Sequence, residues 1–146
     1  MLAKDIMTAE VVSVGTDTTV NEIARILHEK KISAVPVVNE NSELLGVVTE
    51  EDLIHKVAKP HIPLHIELLG GILYFEKPQT INDELKKLMG RTASEIMTKK
   101  VATVGEEAPV EDIAALMLDE QVNWIPVVKG KTLAGVITRL DILKAV

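Results

Sequence analysis

The sequence predicts an α/β fold of the α+β kind, in which two β-α-β-β-α units pack with pseudo-twofold symmetry. Three observations carry that expectation. The chain repeats itself at a nearly fixed spacing along its 146 residues. Each copy joins one stretch of helical periodicity to short aliphatic runs of strand length. Hydrophobic residues reach 47% while aromatics are only 2%, so the core must be built from Val, Ile, Leu, Ala and Met, which suit strands covered by helices.

The repeat is legible residue by residue. Asp5-Ile6-Met7-Thr8 returns as Glu95-Ile96-Met97-Thr98, Val14-Gly15 as Val104-Gly105, Ile23-Ala24 as Ile113-Ala114 and Pro36-Val37-Val38 as Pro126-Val127-Val128, all 90 positions later. One residue is lost in the turn around Asn41. Gly46-Val47-Val48-Thr49 and Asp52 then match Gly135-Val136-Ile137-Thr138 and Asp141 at a spacing of 89. Repetition in one register marks a duplicated structural unit.

Within the first copy, a short strand is expected over Val11 to Val14. Thr18 is placed to cap the helix that follows, in which Val20, Ile23, Ala24 and Leu27 share one face. Two strands come next, Ala34 to Val38 and Leu44 to Thr49, joined by the polar turn Asn39-Glu40-Asn41-Ser42. A helix from Glu50 to Val57 closes the unit. The second copy has its helix at Val110 to Asp119, and its last helix runs to the end of the sequence. One unit alone would leave an apolar sheet face exposed, so the two are expected to pack face to face. The division is residues 1–57, an insert over 58–93, and residues 94–146.

The insert holds Pro60, Pro63, an apolar stretch from Ile66 to Phe75 that includes Tyr74, and an amphipathic helix from Asp83 to Met89 ended by Gly90. The apolar stretch is expected to pack on the module or on a partner subunit. His61, His65 and Glu67 read as a solvated loop rather than a metal site, because Pro63 prevents the histidines from sharing a helical face.

Charge and composition exclude several functions. Lys plus Arg number 16 against 22 Asp plus Glu, a net charge of -6, which argues against nucleic acid as a partner. With no cysteine, disulfides, thiolate zinc sites and a Cys nucleophile are excluded. No signal pattern opens the sequence and no apolar run is long enough to span a bilayer, so a cytoplasmic protein with no membrane partner is expected. Neither a phosphate-binding glycine loop nor a Ser-His-Asp elbow is present.

Two motifs point to chemistry. Thr49-Glu50-Glu51-Asp52 and Thr138-Arg139-Leu140-Asp141 each follow a strand led by glycine. Thr with Asp three residues later forms a capping box. The same helix start offers N–H groups to an anion, and the carboxylate can accept two ribose hydroxyls; the two roles are compatible. Pro36 removes a backbone donor, so its strand is expected to start at an edge or bend there. Irregular backbone before Pro36 could also present N–H and C=O groups to a flat heterocycle. Met7 and Met97 read as core or cleft lining.

Taken together, Ile6-Met7-Thr8, Val14-Gly15, Ile32-Ser33-Ala34-Val35-Pro36-Val37-Val38, Gly46-Val47-Val48-Thr49 with Asp52, and their second-copy equivalents resemble CBS motifs. The pair resembles a Bateman module over nearly all of the chain except the insert. The resemblance implies an adenosine-containing regulatory ligand (AMP, ADP, ATP or S-adenosylmethionine) in two symmetry-related clefts, and no cofactor. It places Asp on the ribose, Thr and the helix start at phosphate, and the pre-proline strand against adenine. It also implies a disc-like homodimer and an effector protein regulated by it.

Carried over copy by copy, one site combines Ser33, Ala34, Val35 and Pro36 with Thr49 and Asp52. The other combines Asn123, Trp124, Ile125 and Pro126 with Thr138, Arg139 and Asp141, and Lys99, Lys100 and Thr103 lie nearby. Glu50 and Glu51 would repel phosphate whereas Arg139 would pair with it, so the second cleft is expected to take phosphate and the first a neutral or weakly charged adenosine. Trp124 either closes its pocket or stacks on the ligand. The expected function is a non-enzymatic sensor acting in trans. A dimerisation module with occluded clefts is the alternative, and an enzyme fits least, since nothing suggests a tuned acid–base pair.

Overall fold

The computed structural model describes residues 1–58 and 78–146. The expected packing of Ile66 to Phe75 and the His61, His65 and Glu67 loop lie outside the described residues. The elements run α1 (Ala3–Ile6), α2 (Val20–Lys30), β1 (Ala34–Val38), β2 (Leu44–Thr49), α3 (Glu50–Ala58), α4 (Pro78–Met89), α5 (Ala93–Ile96), β3 (Val104–Gly105), α6 (Val110–Asp119), β4 (Trp124–Lys129), β5 (Thr132–Thr138) and α7 (Arg139–Ala145). The expected order of helices and strands is thus present in the second copy, and in the first it is present except for the opening strand. The helix of the insert starts earlier than its periodicity suggests, at Pro78, a residue suited to a first helical turn.

The cap of α2 is Thr19, not Thr18. Thr19 Oγ1 accepts from Glu22 N–H at 3.2 Å and Glu22 Oε1 accepts from Thr19 N–H at 3.4 Å, a reciprocal box that Thr18 cannot form. Thr18 Oγ1 instead accepts from Gly15 N–H at 3.2 Å. The helix buries Val20, Ile23 and Leu27 and ends at Lys31, which is left-handed at φ 54°; the equivalent Gln121 has φ 56°.

β1 and β2 form an antiparallel pair in which Val35 faces Val48 and Val37 faces Gly46; β4 and β5 repeat it with Ile125 facing Ile137 and Val127 facing Gly135. Pro36 and Pro126 lie inside their strands, not at the start. The register shift comes one residue later, between Val37 and Val38 and between Val127 and Val128. Pro36 is tolerated because of the side it faces. Val14 N–H donates to Pro36 C=O at 3.0 Å and Val38 N–H donates to Val14 C=O at 2.9 Å. A strand residue points its N and O to the same side, so the missing N–H faces the first segment, not β2. The next acceptor on that side would belong to Val12. This shortens the expected Val11 to Val14 strand to a single bridge at Val14.

Two buried clusters form the core. One gathers Ile23, Val35, Val37 and Val48 with Leu88, Ala93 and Ile96; the other gathers Ile113, Ile125, Val127 and Ile137 with Ala3. Burying each such Ile or Val contributes about 1.5–3 kcal/mol. Each cluster therefore includes residues that open the other copy. The backbone shows the same exchange. Thr8 pairs with Val136 through hydrogen bonds of 2.9 and 3.0 Å, and Thr98 pairs with Val47 through bonds of 2.9 and 3.0 Å. Glu43 bridges Thr132 where the two hairpins meet.

The glycines that lead β2 and β5 allow this crossing. A Cβ on Gly46 would lie 2.7 Å from Met97 Sδ and 2.8 Å from Thr98 O; on Gly135 it would lie 2.7 Å from Met7 Sδ and 2.8 Å from Thr8 O. Met7 and Met97 are thus packed against the opposite copy, as core residues. Both swapped segments are held electrostatically as well. Lys4 Nζ meets Glu107 Oε1 at 2.9 Å, which raises the lysine pKa above its ordinary value. The Thr92 N–H and then its hydroxyl bond to Glu95 and hold that carboxyl below its ordinary range, aided by Arg91.

Candidate ligand clefts between the two copies

Each closing helix starts with the expected capping box. Thr49 N–H donates to Asp52 Oδ2 at 3.1 Å and Asp52 N–H donates to Thr49 Oγ1 at 3.1 Å. In the second copy the corresponding distances are 2.9 and 3.4 Å, and the Thr138 hydroxyl adds a bond of 3.2 Å to Asp141 Oδ2. One carboxylate oxygen of each Asp serves the cap. Oδ1 accepts no hydrogen bond among the described residues.

The helix starts are tied to the strands before the prolines. Glu50 N–H donates to Ser33 C=O at 2.8 Å, and Arg139 N–H donates to Asn123 C=O at 3.2 Å. These bonds fix the alternation along β1. Ser33, Val35 and Val37 turn their backbone groups toward β2, while Ala34 and Pro36 turn theirs toward the first segment. On that side the ladder begins only at Pro36 C=O, so Ala34 N–H and C=O have no ladder partner among the described residues. The same holds for Trp124 before Pro126.

Two clefts open at these positions. The larger, about 890 Å³, is lined by Thr8, Val11 and Val12, by Ser33 and Ala34, and by Thr138. Its far wall is Leu27 and His28 of α2 with Leu53 and Ile54 of α3. The smaller, about 460 Å³, is lined by Thr98, Lys100 and Ala102, by Asn123 and Trp124, and by Thr49 and Asp52.

The first-copy candidates stay together: Ser33, Ala34, Thr49 and Asp52 all line the smaller cleft, which Asn123, Trp124 and Arg139 of the second copy also enter, while the larger cleft takes Ser33, Ala34 and Trp124 together with Thr138. The crossing at Thr8–Val136 and Thr98–Val47 lays the opening segment of each copy along the closing strand of the other, so each cleft takes walls from both. Glu50 and Glu51 consequently face the same space as Lys100 and Arg139. The expected division into a phosphate cleft and a neutral cleft does not survive, because cations and carboxylates occur together.

The other candidate positions separate clearly. Val35, Pro36, Ile125 and Pro126 are fully buried in their strands and line neither cleft. Lys99 and Thr103 are exposed and also line neither. Asp141 is half-buried beside Thr138 without lining a cleft. Trp124 does not seal the smaller cleft, and it borders both. Sequence reasoning missed Thr8, Glu10, His28 and Lys31 in the larger cleft and Glu120 in the smaller. The recurrence of Thr8 as Thr98 was the available signal.

Among the described residues, no helix is long and apolar enough to cross a membrane, and no cluster of His, Asp and Glu could hold a metal ion.

A family model for the CBS domain matches residues 3–59 and 93–146. An uncharacterised protein of Methanocaldococcus jannaschii is 28% identical over 153 residues, covering 99% of this chain and 90% of that protein. Of a second relative from that organism, 31% identical, the chain spans only 30%. The structure of CBSX2 in complex with AMP is similar at a TM-score of 0.74 and 27% identity, covering 99% of this chain and 94% of that one. The CBS domain pair of protein MJ0100, in complex with 5′-methylthioadenosine and S-adenosyl-L-methionine, is similar at 0.73 and 25% identity, with 99% and 98% covered.

Proposed function

The chain belongs to the CBS-domain family, and on that footing we propose that it is a non-enzymatic sensor. It binds an adenosine-containing ligand in the clefts between its copies and signals to an effector protein in trans. The observation that carries this reading is the placement of Thr49 with Asp52, and of Thr138, at cleft walls completed by the other copy. Asp Oδ1 is left for ribose hydroxyls, and the backbone of Ala34 and Trp124, which has no ladder partner among the described residues, suits the edge of an adenine. Similar CBS pairs hold AMP, 5′-methylthioadenosine and S-adenosyl-L-methionine, which supports the same ligand class. Because each cleft draws on both copies, a bound ligand favours one relative arrangement of the two, and an effector can read that shift.

Charge narrows the ligand. The larger cleft sets Lys31 and His28 against Glu10 and Glu50; the smaller sets Lys100 and Arg139 against Glu50, Glu51, Asp52 and Glu120. Neither has a surplus of fixed cations, so the reading favours AMP or S-adenosylmethionine over ATP. A melting scan against AMP, ADP, ATP, S-adenosylmethionine and NAD tests it. The true ligand raises stability by about 2–3 kcal/mol at roughly 100-fold excess over its dissociation constant. Absence of any shift with all five overturns the reading.

The same molecule is proposed to form a homodimer. Ile54 on α3 and Leu140 and Leu143 on α7 are 64%, 57% and 66% exposed at equivalent closing helices, an apolar surface that a second copy would cover. Light scattering should give twice the chain mass, and Leu143→Glu should return a monomer.

A further inference from the structure

Ser33, Ala34, Glu50 and Trp124 line both clefts, so the two cavities are separated by one shared wall. We propose that Trp124 is a movable partition in that wall, which sets what each cleft can accept and couples the two negatively. Four observations lead there.

Trp124 is the only tryptophan, and it stands where the first copy has Ala34. It faces Thr138 across β4 and β5, in a pair that places side chains close together, and Thr138 lines the larger cleft. The neighbouring Asn123 and Arg139 line the smaller one. An indole turning about its two side-chain torsions therefore sweeps volume from one cleft into the other.

The wall is also tied to both closing helices, through the bonds from Glu50 N–H to Ser33 C=O and from Arg139 N–H to Asn123 C=O. A molecule that pushes the indole out of one cleft reduces the space in the other and strains the helix start that caps it. Such occupancy is antagonistic. The coupling needs no particular ligand, whereas the selectivity rests on the adenosine reading above.

The absence of cysteine allows a test that does not depend on any nucleotide. Lys31→Cys places a thiol in the larger cleft and Lys100→Cys places one in the smaller. Each single variant, and the double variant, is treated with benzyl methanethiosulfonate and the labelling rates compared. With Trp124 present, the second thiol of the double variant should react at least about fivefold more slowly than in its single variant, the lower end of ordinary coupling between sites. Trp124→Ala should restore the single-variant rates, and Trp124→Phe should give an intermediate value should the smaller side chain unsettle the fold.

Equal rates with Trp124 in place, or slowing that survives its removal, overturn the proposal. A calorimetric titration with AMP then separates the two ideas. Thiol coupling without AMP or S-adenosylmethionine binding leaves the partition standing and defeats the adenosine reading. Nucleotide binding in two independent, equal steps with no thiol coupling does the reverse.

Discussion

The two clefts occupy equivalent positions of a duplicated chain, yet one measures about 890 Å³ and the other about 460 Å³. Their backbone is the same: a proline inside the central strand, a Thr–Asp cap on the closing helix, and a methionine from the opposite copy laid on a glycine. The two copies, however, contribute different side chains to the walls. Ala34 becomes Trp124, Glu10 becomes Lys100, Ser33 becomes Asn123 and Glu50 becomes Arg139. Duplication preserved what holds the clefts together and released what fills them. A site in such a molecule has to be assigned by cleft and not by copy, because each cleft takes its walls from both.

The comparison breaks most severely at the glycines. Gly46→Val or Gly135→Val drives a branched side chain into a methionine and a backbone carbonyl of the other copy, with the first added atom already inside 3 Å. Each should cost about 3 kcal/mol, the upper end for overpacking, because the carbonyl cannot move without breaking the Thr98–Val47 or Thr8–Val136 pair. Urea denaturation measures it. Similar losses at the two positions would show that both crossings stabilise the fold; a loss at only one would show that the symmetry is cosmetic.

The caps sharpen the comparison at the level of ligand binding. Asp52→Ala removes a carboxylate from the smaller cleft and should lower stability by about 1 kcal/mol through the lost capping box. Ligand affinity in that cleft should fall roughly tenfold or more, as expected for a lost hydrogen bond to a charged group. Asp141→Ala should lower stability equally, yet weaken binding in the larger cleft, where its partner Thr138 lies. Calorimetry with AMP distinguishes the two; weakening of the same cleft by both variants would remove Asp141 from the larger cleft.

A smaller effect concerns charge. Glu51→Leu gives α3 the residue that α7 carries at the equivalent Leu140. With one carboxylate fewer facing Lys100 and Arg139, AMP should bind the smaller cleft about two- to fivefold more tightly, less so at high salt, since the group is exposed and screened. Unchanged affinity at low ionic strength would remove Glu51 from the account of selectivity.

Much of this fold was readable in the residues. The spans of β1, β2 and α6 follow from aliphatic runs and helical periodicity, both of which record burial directly. The cap of α2 was also encoded, since Glu22 stands three residues after Thr19 and four after Thr18, but two adjacent threonines hid it. The crossing of the copies left almost no trace, because it is made by backbone pairing. Its mark is the absence of a side chain at Gly46 and Gly135, and a glycine opening a strand has many explanations. The make-up of the clefts was legible in part: Ser33, Ala34, Thr49 and Asp52 line one cleft as grouped, but the entry of second-copy residues into it follows from backbone pairing that leaves no mark on the side chains. Pro36 was read as marking an edge or a bend, and it sits inside β1 with its missing donor turned away from β2 and a register shift one residue later. Its exact position was not encoded, because a proline is tolerated wherever that side lacks a partner.

The two swapped segments are held differently, and this gives the smallest expected effect. Both carry the same carboxylate cap, Leu2 N–H to Asp5 Oδ2 at 2.9 Å and Thr92 N–H to Glu95 Oε1 at 2.9 Å, but α1 adds the Lys4–Glu107 pair. The Glu95 carboxyl titrates below its ordinary range in the fold, so the unfolded chain binds its proton more readily. Its contribution is therefore complete above the ordinary carboxylate range and is lost as pH falls through that range to the lowered value. Lys4 has the opposite sign: its raised pKa gives a contribution present below the ordinary lysine value and lost only as pH rises through the raised one. Alkali should therefore loosen α1 through Lys4, while acid acts on α5 through Glu95. Glu95→Gln should lower the melting temperature slightly near neutral pH and make no difference once the solution is acid enough to protonate the native carboxyl. A deficit that persists in acid would mean that Glu95 acts through shape and not through charge.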